Sequence, residues 1–149
     1  MTRYRGEWDA AGVAAYLDEA RVPVRVATRT SGGGLWMLSL WFRRVDDELR
    51  CATAADADVV EYLEADPEVA FEVSTNDPPY RGVRGNGTAT VDPDEGKDLL
   101  RSLLDRYLGG TDNPTGRRLL REDREEVRIR IAPRTVYSWD YGDRMSGGD

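Results

Sequence analysis

Leu35-Trp36-Met37-Leu38-Ser39-Leu40-Trp41-Phe42 is the stretch whose reading decides the fold, because it is apolar at every position but Ser39. Its aromatic content suits a pleated strand, and it is framed by Gly32-Gly33-Gly34 before and Arg43-Arg44-Val45-Asp46-Asp47 after. A strand this apolar is expected to bury both faces. A second strand, Glu48 to Thr53, returns through the polar turn. Ala54-Ala55-Asp56 then leads into a helix with Asp56 as N-cap and Val59, Val60 and Leu63 inward, closed by Asp66-Pro67. A hairpin that delivers Thr53 to a helix start makes a ligand shelf, since free backbone N–H groups collect there.

Upstream, Met1 to Gly6 reads as a loose lead-in. Asp9 is placed to cap a helix whose apolar face is Ala10, Val13, Leu17 and Ala20, with Trp8 stapled against Val13. Val22 to Thr30 alternates at period two: Val22, Val24, Val26 and Thr28 share one face, Arg25 and Arg29 the other. Joined through the glycine turn, this segment and the two strands around Arg43 to Asp47 read as a three-stranded meander.

Downstream, Val69 to Ser74 alternates as a further strand. Asn76-Asp77-Pro78-Pro79 breaks the chain before a strand from Tyr80 to Val91, in which Gly82, Gly85 and Gly87 predict a bulge or a close backbone neighbour. Asp92-Pro93-Asp94-Glu95 reads as a helix start with proline at its first position, and Gly109-Gly110 stops that helix. A short helix near Leu119-Leu120, a strand from Glu126 to Ile131 and a bent final strand through Tyr137, Trp139 and Tyr141 complete the order. No repeat or linker divides the chain, so residues 1–149 read as one domain with loose tails at 1–8 and 143–149.

Composition narrows the chemistry. The chain has no histidine, which removes imidazole general bases and histidine-containing metal sites, and no metal site is expected. Its single cysteine, Cys51, lies in an alternating strand and reads as a small buried hydrophobe. The formal charge of −7, with no basic stripe, argues against a nucleic-acid partner. No run approaches the roughly 18 apolar residues of a membrane helix, so the chain is expected to be soluble and cytoplasmic. Lys97 is the only lysine among 21 basic residues, and this acidic, arginine-rich composition resembles that of haloarchaeal proteins.

The order of elements, with Leu49-Arg50-Cys51-Ala52-Thr53, then a helix, then Asp66-Pro67-Glu68-Val69-Ala70-Phe71, resembles the pyridoxamine 5'-phosphate oxidase-like family of flavin-binding split barrels. The stretch from Pro78 to Ala89 is similar to that family's long glycine-laced strand. The resemblance implies a mostly β fold with peripheral helices, a split barrel of six or seven strands. It also implies a homodimer formed through Leu35 to Phe42 and Tyr137 to Tyr141, with flavin mononucleotide (FMN) or a deazaflavin at the subunit interface.

Carried over residue by residue, the resemblance sets backbone around Ser39, Leu40 and Trp41 against the flavin ring, and Thr53, Ala54 and Asp58 at the phosphate end. Where flavin oxidases of the family have basic residues, this chain has Met37 and Phe42 on the strand and Asp58-Val59 on the helix. Three readings follow. A flavin's phosphate is held by other arginines, with Arg25, Arg81 and Arg84 nearest by strand pairing; a planar ligand without that phosphate is bound; or the shelf is empty. The functional expectation is a flavin- or deazaflavin-dependent oxidoreductase of a small organic molecule. Its alternative is a non-catalytic dimeric split barrel without a cofactor.

Overall fold

The structure is a computed structural model, and it describes residues 1–142. The tail expected at 143–149 lies outside the described residues. Eight strands form one sheet, in the order β3-β2-β6-β7-β8-β5-β4 with β1 beside β8. They are β1 (Arg3–Gly6), β2 (Val24–Arg29), β3 (Leu35–Leu40), β4 (Arg43–Val45), β5 (Glu48–Ala54), β6 (Glu68–Ser74), β7 (Arg81–Pro93) and β8 (Glu126–Asp140). The helices are α1 (Ala10–Glu19), α2 (Asp58–Ala65), α3 (Asp98–Leu108) and α4 (Pro114–Leu119).

The path begins at β3 and ends at β4, yet only Trp41 and Phe42 separate these two strands in the chain. The sheet must therefore roll until its two edges meet, which makes a barrel split along the β3–β4 seam. Phe42 is fully buried, and its N–H donates to the Tyr107 hydroxyl at 3.3 Å. Trp41 stacks on the Tyr107 ring with centroids 5.2 Å apart. This bend breaks the apolar run into two strands, and it replaces the expected meander: β3 pairs with β2, whereas β5 pairs with β4 and β8.

β3 is not buried on both faces. Trp36 packs edge-on against Tyr62 of α2, but the opposite face leaves Leu35 81% and Met37 62% exposed. Helix α2 covers one side only, and among the described residues nothing in the single chain covers the other.

Other differences have local causes. Arg3–Gly6 is not a loose lead-in; it runs parallel to β8, and Thr2 Oγ1 donates to the Pro133 carbonyl. This strand and the short β4 bring the number to eight. The N-cap of α2 is Ala57, without a side-chain bond, so Asp56 is no cap. Pro93 closes β7 rather than opening a helix. Asp94 caps α3 from a distance, its two carboxylate oxygens accepting from the Leu99 and Leu100 N–H groups at 3.0 Å, across a 3-10 turn with Gly96 and Lys97 at positive φ. The expected cap at Asp9 is present, Asn113 caps α4 by accepting from the Gly116 N–H, and Gly109 ends α3 in the left-handed conformation.

Inside the barrel, Val24, Val26, Phe42, Leu49, Cys51 and Ile129 are among the fully buried side chains, with α1 and α2 closing the core. Burial pushes the Cys51 thiol up to about 12, so it behaves as the small hydrophobe the alternation predicts. The long pair β7–β8 carries a bulge at Asn86/Gly87 opposite Pro133. There the backbones approach so closely that a Cβ on Gly85 would strike the Thr135 carbonyl.

Candidate functional site

Alternation along β2, β3, β6, β7 and β8 turns one set of side chains into the core and leaves the other on the barrel's outer surface. The registers align these outer residues in rows. One row runs Ser39, Arg25, Glu72, Arg84, Tyr137 across five strands, and the next runs Met37, Ala27, Ala70, Asn86, Thr135. The first row is charged and tall. The second has small residues at its centre, so a trough opens over Ala27 and Ala70.

That trough is a cavity of about 370 Å³ whose lining includes Arg25, Met37, Ala70, Glu72, Arg84 and Tyr137. Arg84 lies over the faces of Tyr137 and Trp139, its guanidinium carbon 4.7 and 5.1 Å from the ring centroids. Stacking fixes its plane and leaves its N–H edge open. Nη1 of half-buried Arg25 is itself buried and has no hydrogen-bond partner. Glu72 stands between the two arginines in register, but its Oε1 accepts from Ser74 Oγ at 3.0 Å. Among the described residues neither arginine makes an ion pair.

A larger cleft of about 750 Å³ is lined in part by Arg50, Asp92 and Arg128, whose charges are already paired. Arg128 Nε donates to Asp92 at 2.7 Å, Arg130 Nε to the same carboxylate at 3.1 Å, and Arg50 Nη2 lies 3.1 Å from Glu48. The two guanidinium partners hold the Asp92 carboxyl below the usual carboxylate range, with the Arg128 hydrogen bond the larger cause. These paired groups offer little unmet hydrogen bonding to a ligand.

Of the residues singled out from the sequence, the structure brings Arg25 and Arg84 to one cavity and sets Ser39 beside Arg25. Leu40 pairs with Val24 and packs on the core with its side chain. Trp41 lies in the bend, stacked on Tyr107. Thr53 and Ala54 lie on β5 opposite Val127 and Glu126, and exposed Asp58 opens α2. None of these five lines the Arg25–Arg84 cavity. Arg81 is directed elsewhere, over the Tyr16 ring at 5.8 Å. Glu72, Tyr137 and the alanine floor were not foreseen. Their alternating strands placed them on an outer face, but only cross-strand register brings them together.

No family model and no curated protein matches the chain. Solved structures do. A conserved hypothetical protein from Mycobacterium tuberculosis is 24% identical, with a TM-score of 0.75 over 95% of this chain and 90% of that one. An F420 reductase is 24% identical, with a TM-score of 0.66 over 80% of this chain and 92% of its own. An FAD-binding protein from Mesorhizobium loti is 22% identical, with a TM-score of 0.62 over 88% and 93%. These likenesses show the fold, a split barrel shared with flavin- and deazaflavin-handling proteins. No helix among the described residues is long and apolar enough to cross a membrane.

Proposed function

We propose that the chain binds a flavin-type redox cofactor and acts, as a homodimer, as an oxidoreductase of a small organic substrate. The observation that carries this reading is the open edge of β3. Among the described residues β3 pairs with β2 alone, so its other edge presents unpaired N–H and C=O groups beside Ser39 and the Arg25 cavity. The pyrimidine rim of a flavin or deazaflavin ring offers donors and acceptors in one plane, the pattern an extended strand edge satisfies. The shared fold with an F420 reductase and an FAD-binding protein supports the same class of ligand.

The residues fit the ring better than a phosphate at the start of α2. That helix has no side-chain N-cap bond and carries Asp58 and Glu61 in its first turn. Two carboxylates there oppose a phosphate more strongly than the helix N-terminus attracts it. The cations that line the cavity on this face are Arg25 and Arg84 instead. When bound, the cofactor supplies hydride transfer; the protein's share is to orient the ring along β3 and to hold an anionic group of the substrate at the arginines. Leu35, Met37 and Tyr137, exposed on the same face, are the apolar surface that a second copy covers.

The test is titration of purified protein with FMN, FAD and coenzyme F420, followed by cofactor absorbance and by quenching of tryptophan emission. Saturable binding of one of them is expected. If none binds, the reading fails, and the cofactor-free scaffold, which the acidic start of α2 favours, stands in its place.

A further inference from the structure

We infer that the cavity between Arg25 and Arg84 recognises a small planar monocarboxylate, and that this is the substrate class of the proposed oxidoreductase. The inference rests on the reading of this outer face as the ligand face, and not on which cofactor is bound.

Charge decides the valence of the ligand. Two guanidinium groups and one carboxylate, aligned as Arg25, Glu72 and Arg84, leave a formal charge of one positive unit over the trough. A single carboxylate neutralises that charge. A phosphate monoester brings about two negative charges, and the second faces Glu72 across a partly desolvated space.

Hydrogen bonding decides the group. Buried donors are ordinarily satisfied, and Arg25 Nη1 is not. Arg84 is held flat by two aromatic faces with its N–H edge open. Guanidinium groups of this kind match the planar, two-oxygen geometry of a carboxylate.

Shape decides the rest. At about 370 Å³ the cavity lies near the small end of ligand pockets and suits a one-ring molecule rather than a dinucleotide. Ala27 and Ala70 give it a low, flat floor, while Met37 and the Tyr137 ring give apolar walls. A flat apolar body carrying one carboxylate satisfies all three requirements.

The experiment compares benzoate, phenyl phosphate and benzyl alcohol by calorimetric titration of the full chain without added cofactor. Benzoate is expected to saturate, with the other two each weaker by about tenfold or more, the equivalent of one charge-assisted contact. Arg84→Gln, at an exposed position, is expected to lower benzoate affinity by a similar factor while leaving the melting temperature unchanged. Glu72→Gln makes the row doubly positive, and it is expected to reverse the preference so that phenyl phosphate binds tighter than benzoate. Equal affinity for benzoate and benzyl alcohol, an order unmoved by Glu72→Gln, or no binding by any probe overturns the inference. Benzoate binding without any cofactor binding overturns the proposed redox function and leaves the carboxylate site standing. Cofactor binding without benzoate binding does the reverse.

Discussion

Arg106 Nη2 donates to the carbonyl oxygen of Leu17 at 2.7 Å, tying α3 to the last turn of α1. The same guanidinium donates to Ala20 O at 2.6 Å and to Asp18 O at 3.0 Å, and its carbon lies 5.4 Å from the Phe42 ring centroid. The last turn of a helix has carbonyls without intrahelical partners and a partial negative charge, so a half-buried cation there answers both.

Replacing Arg106 removes the side-chain donor to the Leu17 carbonyl beneath α3, while Asp18 O and Ala20 O keep Arg21 Nη1 at 2.8 and 3.1 Å. Arg106→Met, which keeps much of the apolar stem, is expected to cost about 2–3 kcal/mol, measured by urea unfolding. Arg106→Lys is expected to recover only part of that loss, because one ammonium cannot reach three carbonyls in a fork. Full recovery by lysine would show that charge alone matters there.

Asp92 gives a pH-dependent counterpart. Its folded-state pKa is depressed, chiefly by the Arg128 hydrogen bond, so its contribution is present above the unfolded carboxylate value near 3.9 and is lost as pH falls through the lower folded value. The partners are partly exposed, so the contribution at neutral pH is only about 0.5–1 kcal/mol. Asp92→Asn is expected to be less stable than the parent at neutral pH and to approach it as pH falls below the usual carboxylate range. A stability difference that stays constant with pH would mean that packing, not charge, sets the cost.

Cys51 should be chemically silent. With its thiol fully buried and pushed up to about 12, iodoacetamide at about pH 8 is expected to leave the native protein unlabelled and to label it fully in denaturant. Rapid labelling of the native chain would contradict the packing of β5 against β8.

How much of this was legible in the sequence follows from what each element depends on. The cap at Asp9 and the stop at Gly109 are local, and a few neighbouring residues determine them. The alternation of β2 and β6 is equally local, so the outward placement of Arg25 could be read directly. Register and edge position are not local. The exposure of Leu35 and Met37 depends on β3 lying at the end of the sheet order, and the apolar run alone points the other way. The meander failed for the same reason: nothing near Trp41 reveals that Tyr107, far along the chain, anchors a bend there. The candidate site suffers most, because Arg25, Glu72 and Arg84 come from three strands and meet only through pairing.

The apolar outer face gives the last prediction. Leu35 and Met37 are 81% and 62% exposed on an edge strand, and Tyr137, 41% exposed, ends the charged row on the same face. An open strand edge with large apolar side chains beside it is an association surface unless charge or proline blunts it, and Leu35-Trp36-Met37-Leu38-Ser39-Leu40 contains neither. For the proposed homodimer, a Leu35→Arg/Met37→Arg double variant is expected to convert a dimer into a monomer in sedimentation experiments. Because both side chains lie outside the core, its circular dichroism should match the parent's. Cofactor affinity should fall with dimerisation if the second copy helps to enclose the ring. A parent that sediments as a monomer at all concentrations would remove the homodimer from the proposal and leave the β3 edge to be covered by the ligand alone.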